Sequence, residues 1–216
     1  MSTGTAERPI LFSAPMVRAI LEGRKTQTRR VVKPIPELEQ EPDTVLSNWS
    51  WGNGRNANGD PNSLADAQRY GSPGDRLWVR ETWNAGNPAH PSGIGIMFDE
   101  KPREGMKLVY RADPESETYV PEIPWRSPIH MPRWASRITL EIAEVWVQRL
   151  QEIGEEDCRA EGICLLKTNC DGECGQTPCG ISRQPFMTLW DSINGKKHPW
   201  ESNPWVWAVT FNRVEA

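Results

Sequence analysis

Residues 23–30 read Gly23-Arg24-Lys25-Thr26-Gln27-Thr28-Arg29-Arg30. Four cations and two threonine hydroxyls here follow a helix-ending glycine. The residues ahead of it, Ala14 to Glu22, pattern as a short helix. Ser13 sits where an N-cap belongs, and Pro15 falls in the first turn. Met16, Val17, Ile20 and Leu21 recur at the spacing of one apolar helix face. Ile10-Leu11-Phe12 before them is a short apolar strand. Lys25, just past Gly23, is then held by a turn, and the chain runs on as a strand through Val31-Val32 until Pro34. A turn entering a strand can bring the Lys25 ammonium near the Thr28 hydroxyl. That hydroxyl is a weak nucleophile until a base or a cation stabilises its alkoxide. A desolvated lysine titrates low enough to be the base. The competing reading of the same stretch is a solvated basic turn.

A second segment bears on this one. Glu155 to Glu161 patterns as a short helix with an acidic first turn (Glu155, Glu156, Asp157) and Gly162 as its stop. Glu161 therefore stands at the helix C-terminus, against the partial negative charge of the dipole. That is a poor place for a decorative carboxylate and a useful one for a general acid/base. An exposed, frayed last turn is the plainer alternative.

The remaining chain frames these two segments. Arg76 to Trp83 and Lys107 to Arg111 read as strands. Ile138 to Ile142 alternates cleanly, then the phase slips to Val145 and Val147, which predicts a bulge near Ala143. Pro185 to Ile193 patterns as a helix, and Trp205 to Val214 as a closing strand. The prolines of IPWRSPIHMPRWASR predict an extended course. From Pro34 to Pro73 the pattern dissolves into Gly, Asn, Pro and Ser, which reads as a long, partly disordered surface insertion. Strands and short helices in no strict alternation indicate an α+β fold with a small mixed or closed sheet.

Bulk properties narrow the function. The 216 residues suit one domain, 1–216, with loop insertions at about 35–73, 84–106 and 163–184. The net charge of -4 argues against binding extended DNA, but not against a nucleoside or a short RNA in a local basic patch. Eleven Trp can complete a modest core or line a pocket for a flat ligand. No apolar run reaches the ~18 residues of a membrane helix. The N-terminus lacks the order of a signal peptide, so a cytoplasmic location and no membrane partner are expected. The three His are far apart, which makes a His-based triad unpromising, and G-x-S-x-G, H-E-x-x-H and the P-loop are absent. Four of the five Cys crowd together as Cys164, Cys170, Cys174 and Cys179. They could supply thiolates to a structural zinc ion. Their spacing lacks paired C-x2-C knuckles, and free thiols in a Gly-rich loop are the favoured reading.

Gly23, Lys25, Thr28 and Arg30 together resemble the signature of the ASCH domain family, G-x-K-x-x-[E/T]-x-R after a helix. The resemblance implies a PUA-like small mixed β-barrel with short flanking helices. Most members look as if they bind RNA and carry Glu at the variable position. Thr28 there is similar to the small bacterial ASCH amidohydrolases that remove the acetyl group from N4-acetylcytidine. LQEIGEEDCRAEG is similar to their second segment and sets Glu161 at the catalytic position. The longer architecture, with HMPRWASR and FMTLWDSINGK, looks like ASCH proteins of bacteriophages and prophages. The resemblance implies Lys25, Thr28 and Glu161 as catalytic residues acting on a small modified nucleoside. Arg30 would orient the substrate or bind an anion. Trp83 or Trp134 would stack on the pyrimidine, against core packing as the plainer reading of most tryptophans, and Glu81 would hydrogen-bond to it; His130 and Arg133 are further substrate-binding candidates, against an extended Pro-rich rim as the plainer reading. Catalysis would need no cofactor. The alternatives from the same fold are an RNA-binding module and a metal-independent ribonuclease.

Overall fold

The computed structural model describes residues 5–33, 50–55, 61–63, 69–86, 107–114, 116, 125–163 and 183–214. In chain order the strands are β1 (Glu7–Leu11), β2 (Gln27–Val31), β3 (Ser50–Arg55), β4 (Pro61–Ser63), β5 (Arg76–Arg80), β6 (Trp83–Gly86), β7 (Lys107–Tyr110), β8 (Thr139–Arg149) and β9 (Trp205–Val214). The helices are α1 (Ala14–Leu21), α2 (Glu155–Ala160) and α3 (Gln184–Asn194). The fold is α+β, with a core made mostly of sheet. Five strands hydrogen-bond in the order β1-β5-β8-β9-β2, while β3-β4 and β6-β7 form separate pairs. Among the described residues the five-stranded sheet does not close into a barrel.

Contacts divide the chain into two compact, interleaved units. One comprises Met1–Gly23, Gly74–Glu141 and Asn212–Ala216; the other comprises Arg24–Pro73 and Ile142–Phe211. In the first, β1 lies parallel to β5, with Ile10 opposite Val79. The start of β8 runs antiparallel to β5, with Leu140 opposite Leu77. α1 buries Val17, Ala19 and Ile20, as its apolar spacing predicts. Ser13 holds the N-cap position in extended backbone, yet its side chain makes no cap hydrogen bond. Gly23 has φ of 74°, a left-handed conformation that leaves this helix end to a residue without a Cβ.

In the second unit, β2 pairs antiparallel with β9, setting Thr28 opposite Val209 and Arg30 opposite Trp207. A core of Leu150, Ile153, Cys158, Phe186, Trp190 and Val206 joins α2 and α3 to β9. Trp190 also donates its indole N–H to the His198 carbonyl at 2.8 Å, which satisfies the polar end of a buried ring.

Three expectations change. The segment around Pro128 to Ala135 is not simply extended: Pro128–His130 and Arg133–Ala135 are 3-10 turns. Proline fixes φ near -65°, which suits a short 3-10 turn as well as an extended chain. The stretch expected to be a long, partly disordered surface insertion contains the β3-β4 pair. In β8 the slip is present, since Leu140, Ile142 and Val145 are buried while Ala143 and Glu144 are both exposed, but the strand runs unbroken to Arg149. Most of the three expected insertions, and all four clustered cysteines, lie outside the described residues.

Candidate active site

Lys25 reaches its position by backbone pairing. It forms an isolated antiparallel bridge with Glu161, flanked by Thr26 N–H donating to the Ala160 carbonyl at 2.8 Å. Phe211 N–H donates to the Thr26 carbonyl at 2.9 Å, so β9 secures the same turn. α2 is fixed from below by Cys158, which is fully buried in the core. Gly162, at φ of 81°, ends the helix immediately after Glu161. The Arg24 guanidinium donates to the Gly162 carbonyl at 3.0 Å, placing a cation at the negative end of the helix.

The side chains converge within this frame. Lys25 Nζ donates to Glu161 Oε2 at 2.7 Å, to the Glu161 carbonyl at 2.9 Å and to the Gln27 carbonyl at 2.8 Å. These three acceptors match the donors of an ammonium group. The Gln27 carbonyl belongs to the peptide that leads into Thr28. Lys25, Thr28 and Glu161 are only 2%, 3% and 6% exposed. Burial pushes the Lys25 amine below its usual range, and the Glu161 carboxylate pulls it part of the way back.

Arg29 completes the cluster and is the residue that the sequence reading missed. Its guanidinium donates to Glu161 Oε1 at 3.2 Å and to Asp157 Oδ2 at 2.9 Å, and it also bonds the Gln27 side chain. Asp157 in turn accepts from the Gly154 N–H at 3.3 Å, at the start of α2. Two buried or half-buried carboxylates thus face two buried cations. The signal was available: strand alternation groups Gln27 and Arg29 on one face, and Thr28 and Arg30 on the other. Reading the basic run as a block hid it.

The expected substrate-binding residues Glu81, Trp83, His130, Arg133 and Trp134 all belong to the other unit. Glu81 is 1% exposed, and both its oxygens accept from Arg137, at 3.0 and 3.2 Å. Arg137 also pairs with Asp113 at 2.7 Å and lies 3.9 Å over the Tyr110 ring. Burial raises the Glu81 carboxyl above its ordinary value, with Arg137 opposing the shift. Burial likewise pushes the Tyr110 hydroxyl up to about 12. Trp83 is buried in a core of Ala85, Tyr110, Met131 and Ala135, with the Trp134 ring edge-on at 5.8 Å. The Arg126 guanidinium lies 5.4 Å from the Trp83 ring centre. Arg133 is exposed and pairs with Glu7 at 2.9 Å. His130 is exposed in its 3-10 turn. Among the described residues, no group of three or more His, Cys, Asp or Glu is placed to hold a metal ion, and no helix is long and apolar enough to cross a membrane.

No family model matches the chain, and neither a curated protein nor a solved structure matches it.

Proposed function

We propose that the chain is an amidohydrolase with a PUA-like ASCH fold that deacylates N4-acetylcytidine or a related N4-acylated cytosine nucleoside. One observation carries the reading. Lys25 Nζ and Glu161 Oε2 are 2.7 Å apart and closed from solvent, and Nζ also bonds the Gln27 carbonyl, on the peptide that leads into the buried residue Thr28. Buried titratable pairs of this kind are costly to fold and concentrate where chemistry is done.

The pair can generate both catalysts by one internal proton transfer. Passing a proton from Nζ to Oε2 leaves an amine and a carboxylic acid, a step favoured by the burial that holds the Lys25 amine below its usual range. The amine takes the Thr28 hydroxyl proton as Oγ1 attacks the acyl carbonyl. Glu161 gives its proton to the cytosine N4 as the C–N bond breaks, and the acyl group remains as an ester on Thr28. Glu161, now a carboxylate, removes a proton from the water that attacks the ester. Lys25 returns its proton to Oγ1 as the carboxylic acid leaves, and the starting state is restored. Arg30, two residues from Thr28 on the same face of β2, orients the substrate. Arg29 holds Glu161 in place through Oε1.

Acid quenching during turnover, followed by peptide mass spectrometry, tests this scheme. The expected result is one acetyl group on the peptide that contains Thr28. An acetyl group found only on a lysine peptide would remove the threonine from the nucleophile's role.

A second reading, an RNA-binding module or a metal-independent ribonuclease, draws support from a basic cavity in the same unit. Arg29, Arg30, Lys33 and Arg69 line it. RNA affinity that falls steeply with salt, in a protein unable to release cytidine, would favour it.

A further inference from the structure

Glu161 divides its two oxygens between two cations. Oε2 accepts from Lys25 Nζ at 2.7 Å, and Oε1 accepts from the Arg29 guanidinium at 3.2 Å. A guanidinium keeps its charge in a protein. Alone beside Oε1, closed from solvent, it would hold Glu161 as a carboxylate and oppose the step in which Glu161 carries a proton. What remains adjustable is the charge on the far side of the guanidinium.

Asp157 supplies that charge. Its Oδ2 accepts from Arg29 at 2.9 Å and from the Gly154 N–H at 3.3 Å. Among the described residues, Asp157 and Glu161 are the two carboxylates paired with Arg29. The Asp157 side chain is 32% exposed and the Glu161 side chain 5%, so water shares the cost of a charge on the first far more than on the second. Arg29 is also braced without Asp157. It bonds the Gln27 side-chain oxygen, and Gln27 Nε2 donates to Thr210 Oγ1 at 3.2 Å. Asp157 is therefore better placed to balance Arg29 than to fix its position. The other ionisable groups about the pair carry no buried carboxylate. Arg24 lies at the Gly162 carbonyl, and Arg30 adds its charge to the burial that lowers the Lys25 amine. Burial pushes the Cys158 thiol up, with Arg183 acting against that rise. Glu155, Glu156 and Arg159 of α2 are exposed.

We propose that Arg29 and Asp157 are positioning residues for the deacylation, with Asp157 offsetting the Arg29 charge at Glu161 Oε1 so that Glu161 can carry the proton destined for the leaving nitrogen. The inference rests on the deacylase reading for the fate of that proton, but the charge balance at Glu161 can be measured apart from it.

The test is the pH profile of kcat/KM for N4-acetylcytidine, beside a carbon-13 NMR titration of the Glu161 carboxyl, assigned with Glu161→Gln. The low-pH limb falls where the Lys25–Glu161 pair takes a second proton, and the high-pH limb where it loses its last. Asp157→Asn keeps an oxygen for both hydrogen bonds and removes the charge. Without that negative charge the pair gives up protons more readily, so both limbs and the NMR midpoint should move to lower pH by about one unit. The plateau kcat should fall about tenfold with KM little changed, because Glu161 reaches its acid form less often. Arg29→Gln should move the limbs to higher pH. The double variant, which removes one charge of each sign, should bring them back, and Arg29→Lys should leave them in place. Limbs and midpoint that stay put in Asp157→Asn and Arg29→Gln overturn the proposal at any rate, since a mechanical brace lowers the plateau without moving them. Either single variant decides the matter if the other does not fold, and failure of both to fold marks the residues as structural and overturns it too. A midpoint that moves in a protein unable to release cytidine keeps the charge balance and removes the deacylase. Turnover with unmoved limbs keeps the deacylase and removes the role of Asp157.

Discussion

Thr28→Ala is expected to lower kcat/KM for N4-acetylcytidine by about four orders of magnitude or more, the usual scale for losing a nucleophile that works with a base. Most of the loss should fall on kcat, since the hydroxyl acts in bond making more than in binding. Thr28→Ser should keep measurable activity, because it retains an oxygen at the same position. The fold should tolerate both changes. Thr28 lies within β2, paired to β9 through its backbone, and losing a hydroxyl and a methyl there costs about 1 kcal/mol. Full activity in a folded Thr28→Ala protein would remove the nucleophile assignment while leaving Lys25 and Glu161 as a buried structural pair.

Glu161→Ala should have the largest effect on stability. It strips the carboxylate from Lys25 Nζ at 2.7 Å and from the Arg29 guanidinium at 3.2 Å, leaving two buried cations with Asp157 as their remaining carboxylate in this cluster. Removing one partner of a buried ion pair typically costs about 3–5 kcal/mol. For a chain of this size that lowers Tm by about 10 °C. Lys25→Met should cost less, because Glu161 keeps Arg29. The combination Lys25→Met with Glu161→Ala should be less destabilising than the sum of the singles, since the second change no longer strands a buried ammonium. Thermal melts of the four proteins check this. A Glu161→Ala protein as stable as the wild type would mean that the pair is solvated in solution.

Much of this frame was legible because local pattern and tertiary role agree. WVWAVTFNRV is long and β-prone enough to read as a strand, and β9 spans Trp205–Val214. Acidic first turn and stop glycine bracketed α2 correctly to within a residue. The phase slip after Ile142 was visible as the shift of the next large apolar pair to Val145 and Val147. What failed was information held by partners distant in sequence. Nothing in ERPIL states that it will pair parallel to RLWVR, and nothing near Glu81 names Arg137, whose guanidinium occupies both its oxygens. The interleaved units were equally hidden, since two of their four boundaries cut through β8 and β9. The β3-β4 pair was not legible, because the Gly, Asn, Pro and Ser of that stretch give no apolar alternation from which Ser50–Arg55 and Pro61–Ser63 could be read as strands. Arg29 shows the same failure at one residue: a run of charges taken as a single feature concealed which member faces inward.

The central claim is best tested by incubating the purified protein with N4-acetylcytidine and following cytidine release by chromatography. Release that depends on enzyme concentration and disappears in Thr28→Ala is expected. No release from the nucleoside, from its 5′-monophosphate or from acetylated RNA would contradict it, and would leave the buried Lys25–Glu161 pair as scaffolding for a basic binding surface.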